Sequence, residues 1–145
     1  MMAQGKHFAH PQTRSRISKP LLFGAYSVVW IAAVAAFWLG GRADAMGYSI
    51  IALHIVLPLA AVVVTFLMGK TEGLSLASGL LLIFVGVMYM LAPYLTFSLA
   101  NMIAFEHVNM PDLIGLVFGA ACGAIGLVLG VIARAVSAKL SRGSL

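Results

Sequence analysis

Charged residues are scarce in this sequence. Asp, Glu, Lys and Arg make up 9% of the 145 residues, whereas hydrophobic residues make up 62%. Soluble domains usually carry about 25% charged residues, so this composition excludes an ordinary water-soluble fold. Because a transmembrane helix needs about 20 mostly apolar residues, each long stretch without charge is a candidate span. Four such stretches occur, at 20–41, 45–69, 73–105 and 113–133.

Cysteine is nearly absent, and the candidate spans contain no Asp, Glu, Lys or Arg. The single cysteine, Cys122, excludes a disulfide framework and a CxxC metal or redox pair. Spans without buried charge argue against a proton-coupled exporter or a channel lined by charges. They also lack the HExxH motif and the paired aspartates that an intramembrane protease would need. We therefore expect no enzymatic activity, no catalytic residue and no cofactor.

The pattern predicts an all-α integral membrane protein with four antiparallel transmembrane helices, because short segments join consecutive spans. The predicted helices are about 21–39, 48–68, 74–100 and 111–134. They form a four-helix bundle over residues 20–137, between a flexible basic leader at 1–19 and a short basic tail at 138–145. The third charge-free stretch is too long for one straight span. It must tilt, break or finish in the interface, and Pro93 is the expected place for a break, because proline removes a backbone hydrogen-bond donor.

The distribution of Lys and Arg predicts the orientation in the membrane. If both termini are cytoplasmic, all but one of the nine Lys and Arg residues lie on the cytoplasmic side, as the positive-inside rule requires. We expect a multi-pass protein of the plasma or inner membrane with its N- and C-termini in the cytoplasm. A cleaved signal peptide is the alternative for the first helix. However, Pro20–Gly41 is longer than the apolar core of about 7–15 residues typical of such signals.

The fourth predicted helix carries five glycines on one side. At about 100° per residue they fall in a stripe about 80° wide. Helices in lipid associate through close backbone approach, so the stripe predicts a helix-packing face; the alternative is that glycine is simply common in membrane helices. The sequence leaves open whether this face meets a helix of the same chain or of a second copy. The five glycines are Gly115, Gly119, Gly123, Gly126 and Gly130.

The third loop precedes this helix and contains possible oxygen and nitrogen ligands, namely Glu106, His107, Asn109 and Asp112. Their spacing fits no strong metal motif, so we expect no metal site. The run Asn109-Met110-Pro111-Asp112 instead predicts the start of the fourth helix. Asn109 would be the N-cap, Pro111 would lie in the first turn, and Asp112 would lie near the positive end of the helix dipole.

Helical wheels at the same spacing assign faces to the other helices. In the second helix, the side predicted to face the bundle interior contains His54, Pro58, Ala61 and Thr65. In the first helix, an aromatic side is expected to face lipid or a partner protein. It contains Tyr26, Trp30, Ala33 and Phe37.

His54 is the only histidine that lies well inside a predicted span, and histidine is the residue type most often used as a proton carrier or metal ligand. An ionisable residue in the membrane is by default a functional hypothesis, here a proton relay, a haem ligand or a substrate contact. The alternative is a structural histidine hydrogen-bonded to Tyr89, Thr96 or a backbone carbonyl near Pro93. Haem held by two buried histidines is not expected, because the other three histidines lie outside the spans.

Two functional hypotheses follow, ahead of a membrane enzyme or haem protein as the third. The first is a small polytopic membrane protein without catalytic activity, an accessory or structural subunit that acts through helix–helix contacts. Its partners would be the lipid bilayer and another membrane protein or a second copy of itself, and no nucleic acid. The second is a small transporter or permease component with a weakly polar path. That path would be lined by His54, Thr65, Ser78, Tyr89 and Thr96.

Overall fold

The computed structural model describes residues 18–41 and 43–142. Of these residues 89% are helical and none is in a strand, which confirms an all-α protein. Four helices in this part of the chain are long and apolar enough to span a membrane. They are Lys19–Gly40, Ala45–Glu72, Leu76–Phe105 and Leu113–Ser141. The predicted leader up to residue 17, Arg42 in the first loop and the last three residues of the tail lie outside the described residues.

Three of the four spanning helices change register along their length. The first consists of α1 (Lys19–Ala36) and a π-helical turn at Phe37–Gly41. The second consists of α2 (Ala45–Tyr48), a π-helical segment at Ser49–Val56 and α3 (Leu57–Glu72). The third consists of α4 (Leu76–Pro93), a π-helical turn at Tyr94–Ser98 and α5 (Leu99–Phe105). The fourth is α6 (Leu113–Arg142), which is α-helical throughout.

The start and end of α6 differ from the prediction. The N-cap is Asp112 rather than Asn109, because the Asp112 carboxylate accepts a hydrogen bond from the backbone N–H of Ile114 at 2.9 Å. Aspartate satisfies the free donors of a first turn as well as asparagine does, and Pro111 therefore lies just outside the helix. The helix extends to Arg142, the last described residue and beyond the predicted residue 134, because residues 135–142 contain no glycine or proline.

At Pro93, the expected break, the third spanning helix changes register instead of ending. It continues to Phe105, and the π-helical turn at Tyr94–Ser98 follows the proline directly. Local π adjustments of this kind let a membrane helix accommodate the donor that proline lacks. The proline therefore changes the register of the helix without ending it.

The core of the bundle consists of two hydrophobic clusters, and α6 packs along both α3 and α4. The first cluster joins α1, α3 and α4 around residues such as Tyr26, Met68 and Val85. The second cluster lies beside the π-helical segments and includes Phe37 and Leu53. Together they bring the first, second and third spanning helices into contact.

The aromatic side of the first helix faces this core, so the prediction that it faces lipid or a partner is wrong. Tyr26 and Phe37 are 0% and 2% exposed. The ring centroid of Phe37 lies 5.1 Å from that of Tyr48 and 5.0 Å from that of Phe97. Ring pairs at this spacing attract each other and bury large areas. These rings therefore fill the space between the first spanning helix and its neighbours, the second and the third.

The π-helical segment at Ser49–Val56 also changes which side of the second helix is inward. A π-helical turn closes from residue i to i+5 instead of i+4, so side chains rotate less per residue than an α-helical wheel assumes. Ala61 and Thr65 of α3 are buried as predicted, but in the π segment Leu53 is buried and His54 is exposed. The predicted grouping of His54 with these inward residues is therefore wrong.

Candidate functional site

The five glycines of the predicted packing face lie where α6 contacts its two neighbours. Four of them are buried and Gly115 is half-buried. A Cβ atom on Gly126 would lie 2.8 Å from the Cα of Val62 in α3, and one on Gly130 would lie 2.9 Å from the backbone nitrogen of Lys70. These distances are too short for a side chain to fit without a shift of the backbone. Only glycine permits the helices to approach this closely.

The neighbouring helices contribute glycines of their own to this contact. A Cβ on Gly69 of α3 would lie 3.2 Å from the Cα of Gly130, and one on Gly119 would lie 3.2 Å from the Cα of Gly86 in α4. Paired glycines bring two backbones together, so the contact is one of close van der Waals packing. In this structure the glycine face of α6 is therefore occupied by helices of the same chain.

Sequence reasoning missed Gly69, which it assigned to the turn between the second and third helices. The structure places it inside α3, which continues to Glu72. A signal was present, because Ala61, Thr65 and Gly69 are small residues at four-residue spacing, and all three are buried. Small residues at this spacing are typical of interhelical contact in membranes.

The four hydroxyl-bearing residues of the predicted polar path are buried, and each donates a hydrogen bond to a backbone carbonyl. The bonds run from Thr65 to Ala61 (2.7 Å), Ser78 to Gly73 (2.7 Å), Tyr89 to Leu53 (2.9 Å) and Thr96 to Ala92 (2.8 Å). Two of these side chains also border the α6 glycines: the Cβ position of Gly123 is 3.4 Å from Thr65 Cγ2, and that of Gly119 is 3.0 Å from Tyr89 Cγ. The structure therefore brings Thr65 and Tyr89 together with the glycine face.

The fifth residue of that path, His54, lies apart from the other four. It is exposed, and its Nδ1 atom lies 2.8 Å from the backbone oxygen of Ser49 in the same helix. The partners considered for a structural histidine, Tyr89 and Thr96, are bonded elsewhere. His54 is therefore held by its own helix, with the rest of its ring outside the bundle.

Tyr89 compensates for the donor that Pro58 lacks. The N–H of Leu57 donates to the carbonyl of Ala52, five residues back. In the same register the carbonyl of Leu53 would pair with the N–H of residue 58, and proline has none. The buried Tyr89 hydroxyl donates to that carbonyl instead. A side chain of the third spanning helix thus satisfies the backbone of the second, as backbone groups inside a membrane require.

Three other aromatic side chains join helices in the same way. The indole N–H of Trp30 donates to the carbonyl of Met88, and that of Trp38 donates to the carbonyl of Leu95 at 3.1 Å. The Tyr48 hydroxyl donates to the carbonyl of Ala33 at 2.9 Å. Buried tryptophan and tyrosine need such acceptors. These bonds attach the first spanning helix to the second and third.

Tyr26 differs from these aromatic residues because its hydroxyl has no hydrogen-bond partner among the described residues. The side chain is fully buried in α1, and its ring packs edge-on against Phe84 with centroids 6.2 Å apart. A buried hydroxyl without a partner costs about 1–3 kcal/mol. Its ring therefore stabilises the core while its oxygen does not.

We expect Tyr26→Phe to leave the free energy of unfolding unchanged or to raise it, since only the unpaired oxygen is removed. Tyr48→Phe is the matched control, because it removes a hydroxyl that donates to Ala33 and should lower that free energy by about 0.5–1.5 kcal/mol. Unfolding of the purified protein in detergent measures both. Equal losses in the two variants would contradict the prediction.

Charged side chains collect at the ends of the spanning helices. At one end, Lys19 and Glu72 form a salt bridge at 3.1 Å, and a Cβ on Gly73 would lie 2.8 Å from the guanidinium of Arg134. In the third loop, Glu106 is exposed and has a left-handed backbone conformation, with a φ of 52°. The charges thus lie outside the apolar part of the bundle.

Comparison of the chain with protein families, curated proteins and solved structures gives no match. The functional interpretation therefore depends on the residues and contacts described above.

Proposed function

We propose that this protein is a non-catalytic multi-pass membrane protein that serves as an accessory or structural subunit and acts through helix–helix contacts. One observation carries this proposal: the hydroxyls predicted to line a polar path donate to backbone carbonyls of the chain itself. Side chains used in this way stabilise a bundle. Because these hydroxyl groups are already bonded within the chain, they are not available to a solute. The alternative of a small transporter therefore has less support.

The proposed contacts with another protein use the outer surface of the bundle. The glycine face of α6 is filled by α3 and α4, so it is not available to a partner. Large apolar side chains are exposed on all four spanning helices, among them Val28, Ile51, Ile83 and Val117. Most of this surface suits lipid, and a partner helix would replace lipid on one part of it.

We further infer that the four helices are antiparallel and that both termini lie on the cytoplasmic side of the plasma or inner membrane. The salt bridge of Lys19 with Glu72 and the proximity of Gly73 to the Arg134 guanidinium support this arrangement, because they bring together the start of the first helix, the end of the second and the last part of the fourth. Among the described residues, the cations Lys19, Lys70, Arg134 and Lys139 are then on one side. This is the side that the positive-inside rule makes cytoplasmic.

Purification of the tagged protein from its native membranes in a mild detergent tests the proposed function. We expect a second membrane protein to be recovered in a fixed ratio to the tagged chain. An unrelated four-helix membrane protein with the same tag, expressed at the same level, is the control. Recovery of the chain as single copies, together with solute flux in proteoliposomes that His54→Ala abolishes, would contradict the proposal and favour a transporter.

A further inference from the structure

His54 is exposed at a depth where the surrounding medium is hydrocarbon. The second spanning helix has 28 residues, or roughly 42 Å, so it extends several ångströms beyond each side of a hydrocarbon core of about 30 Å. His54 lies roughly 13 Å along the helix from Ala45, which places it inside that core. Polar side chains at such depths usually face the interior of a bundle, whereas this one faces outward.

The hydrogen bond of the ring determines what its outer nitrogen can do. A backbone carbonyl only accepts, so the Nδ1 atom, 2.8 Å from the oxygen of Ser49, carries the proton. In the uncharged imidazole the Nε2 atom is then an acceptor. None of the described residues donates a hydrogen bond to it. Hydrocarbon offers no water in place of a donor, and an unpaired polar group there is costly.

The surface around His54 is otherwise apolar. Ile50, Ile51, Ile55 and Leu59 are each 53–60% exposed. The face thus combines large aliphatic side chains with one hydrogen-bond acceptor. This combination is complementary to an apolar helix that carries one donor.

A second copy bound through the same face does not satisfy this requirement. In a two-fold contact about the membrane normal, each residue faces the same surface at the same depth. Opposite His54 that surface offers another Nε2 acceptor and aliphatic side chains, and no donor. The chemistry therefore favours a different polypeptide.

We propose that the face of the second spanning helix around His54 binds a transmembrane helix of a different membrane protein, which donates a hydrogen bond to His54 Nε2 from a hydroxyl, amide or indole group. This inference rests on the proposed function and identifies the surface and the chemistry of its partner. A hydrogen bond of this kind between membrane helices changes affinity by roughly 3- to 30-fold.

The test compares His54→Leu with His54→Gln in tagged protein purified from native membranes. Leucine removes the acceptor, and we expect it to lower the recovered partner by roughly 3- to 30-fold. Glutamine offers a carbonyl acceptor and should retain most of the partner. Ile83→Leu, at an exposed position of α4, is the control for a change of lipid-facing surface. Thermal unfolding of each variant in detergent checks that the bundle itself is intact.

Four results would overturn the inference. They are retention of the partner by His54→Leu, equal loss in both His54 variants, a complex made only of differently tagged copies of this chain, and a haem absorption band in the purified protein. If the parent chain has no partner at all, the proposed function also fails. Retention by His54→Leu overturns only the surface assigned here.

Discussion

Gly126→Ala is expected to lower the free energy of unfolding of the bundle by about 1–3 kcal/mol, the usual cost of overpacking a core. The added Cβ would lie 2.8 Å from the Cα of Val62 and closer still to the carbonyl of that residue. Backbone atoms cannot rotate away as a side chain can, so α3 and α6 must separate. Gly126→Leu should have a larger effect for the same reason. Unfolding in mixed detergent micelles measures both.

Gly79→Ala and Gly24→Ala are the matched controls for this prediction. Both glycines are helical, and a Cβ at either position would meet no atom within 4 Å. Alanine is a better helix former than glycine by about 1 kcal/mol, so these variants should be as stable as the parent or more stable. If Gly126→Ala behaves like Gly79→Ala, the close contact between α3 and α6 is wrong. A change in self-association instead of stability would mean that the glycine face meets a second copy.

Tyr89→Phe should lower the free energy of unfolding by about 1–3 kcal/mol, because it leaves the carbonyl of Leu53 without a donor in the interior of a membrane protein. The aromatic ring and its contact with Gly119 remain, so the loss reports the hydroxyl alone. Reversible unfolding in detergent measures it. A loss below about 0.5 kcal/mol would contradict the role assigned to the hydroxyl.

Pro58→Ala provides a direct check of why that hydroxyl is needed. Alanine restores a backbone N–H at residue 58, so the carbonyl of Leu53 gains a donor from its own helix. We therefore expect Tyr89→Phe to cost less in the Pro58→Ala background than in the parent. A double-mutant cycle between contacting groups typically gives about 0.5–3 kcal/mol. Additive losses would show that the proline and the tyrosine are not coupled.

The four spans are predictable from the sequence because lipid imposes strict requirements on length and apolarity. The start of the fourth helix is predicted to within two residues, since Pro111 and Asp112 are typical of a helix start. Its end is not, because Arg134 and Lys139 mark the edge of the apolar stretch but do not interrupt a helix. Hydropathy thus predicts which part of a helix can lie in the membrane, whereas residues that interrupt a helix, such as proline and glycine, determine where it ends.

The faces of the helices are predictable only where the register is regular. The wheel that groups the glycines of α6 applies because that helix is α-helical throughout. The wheel that places His54 beside Thr65 fails because a π-helical segment lies before Pro58. Proline suggests an irregularity, but its extent depends on donors such as Tyr89 in other helices. Which donor lies opposite a given carbonyl depends on how the helices pack, and the sequence of one helix does not reveal it.

The choice of partner for each face also depends on tertiary structure. A glycine stripe has the same pattern whether it packs on a helix of its own chain or of another chain. Likewise, the rings of Tyr26 and Phe37 suit either lipid or a core. Here α6 meets the small residues of α3 and α4, while the rings fill the wider contacts of the first spanning helix.

The hydrogen bonds of Trp30 and Trp38 constrain the order in which the protein assembles during synthesis. Their acceptors, the carbonyls of Met88 and Leu95, lie 58 and 57 residues later in the chain. The first helix is therefore synthesised before either acceptor exists. Its two indole groups remain unsatisfied by their final partners until the third helix has been inserted beside it. Docking of the first helix is thus complete only once the third helix is present, although its bond with Tyr48 of the second helix can form earlier.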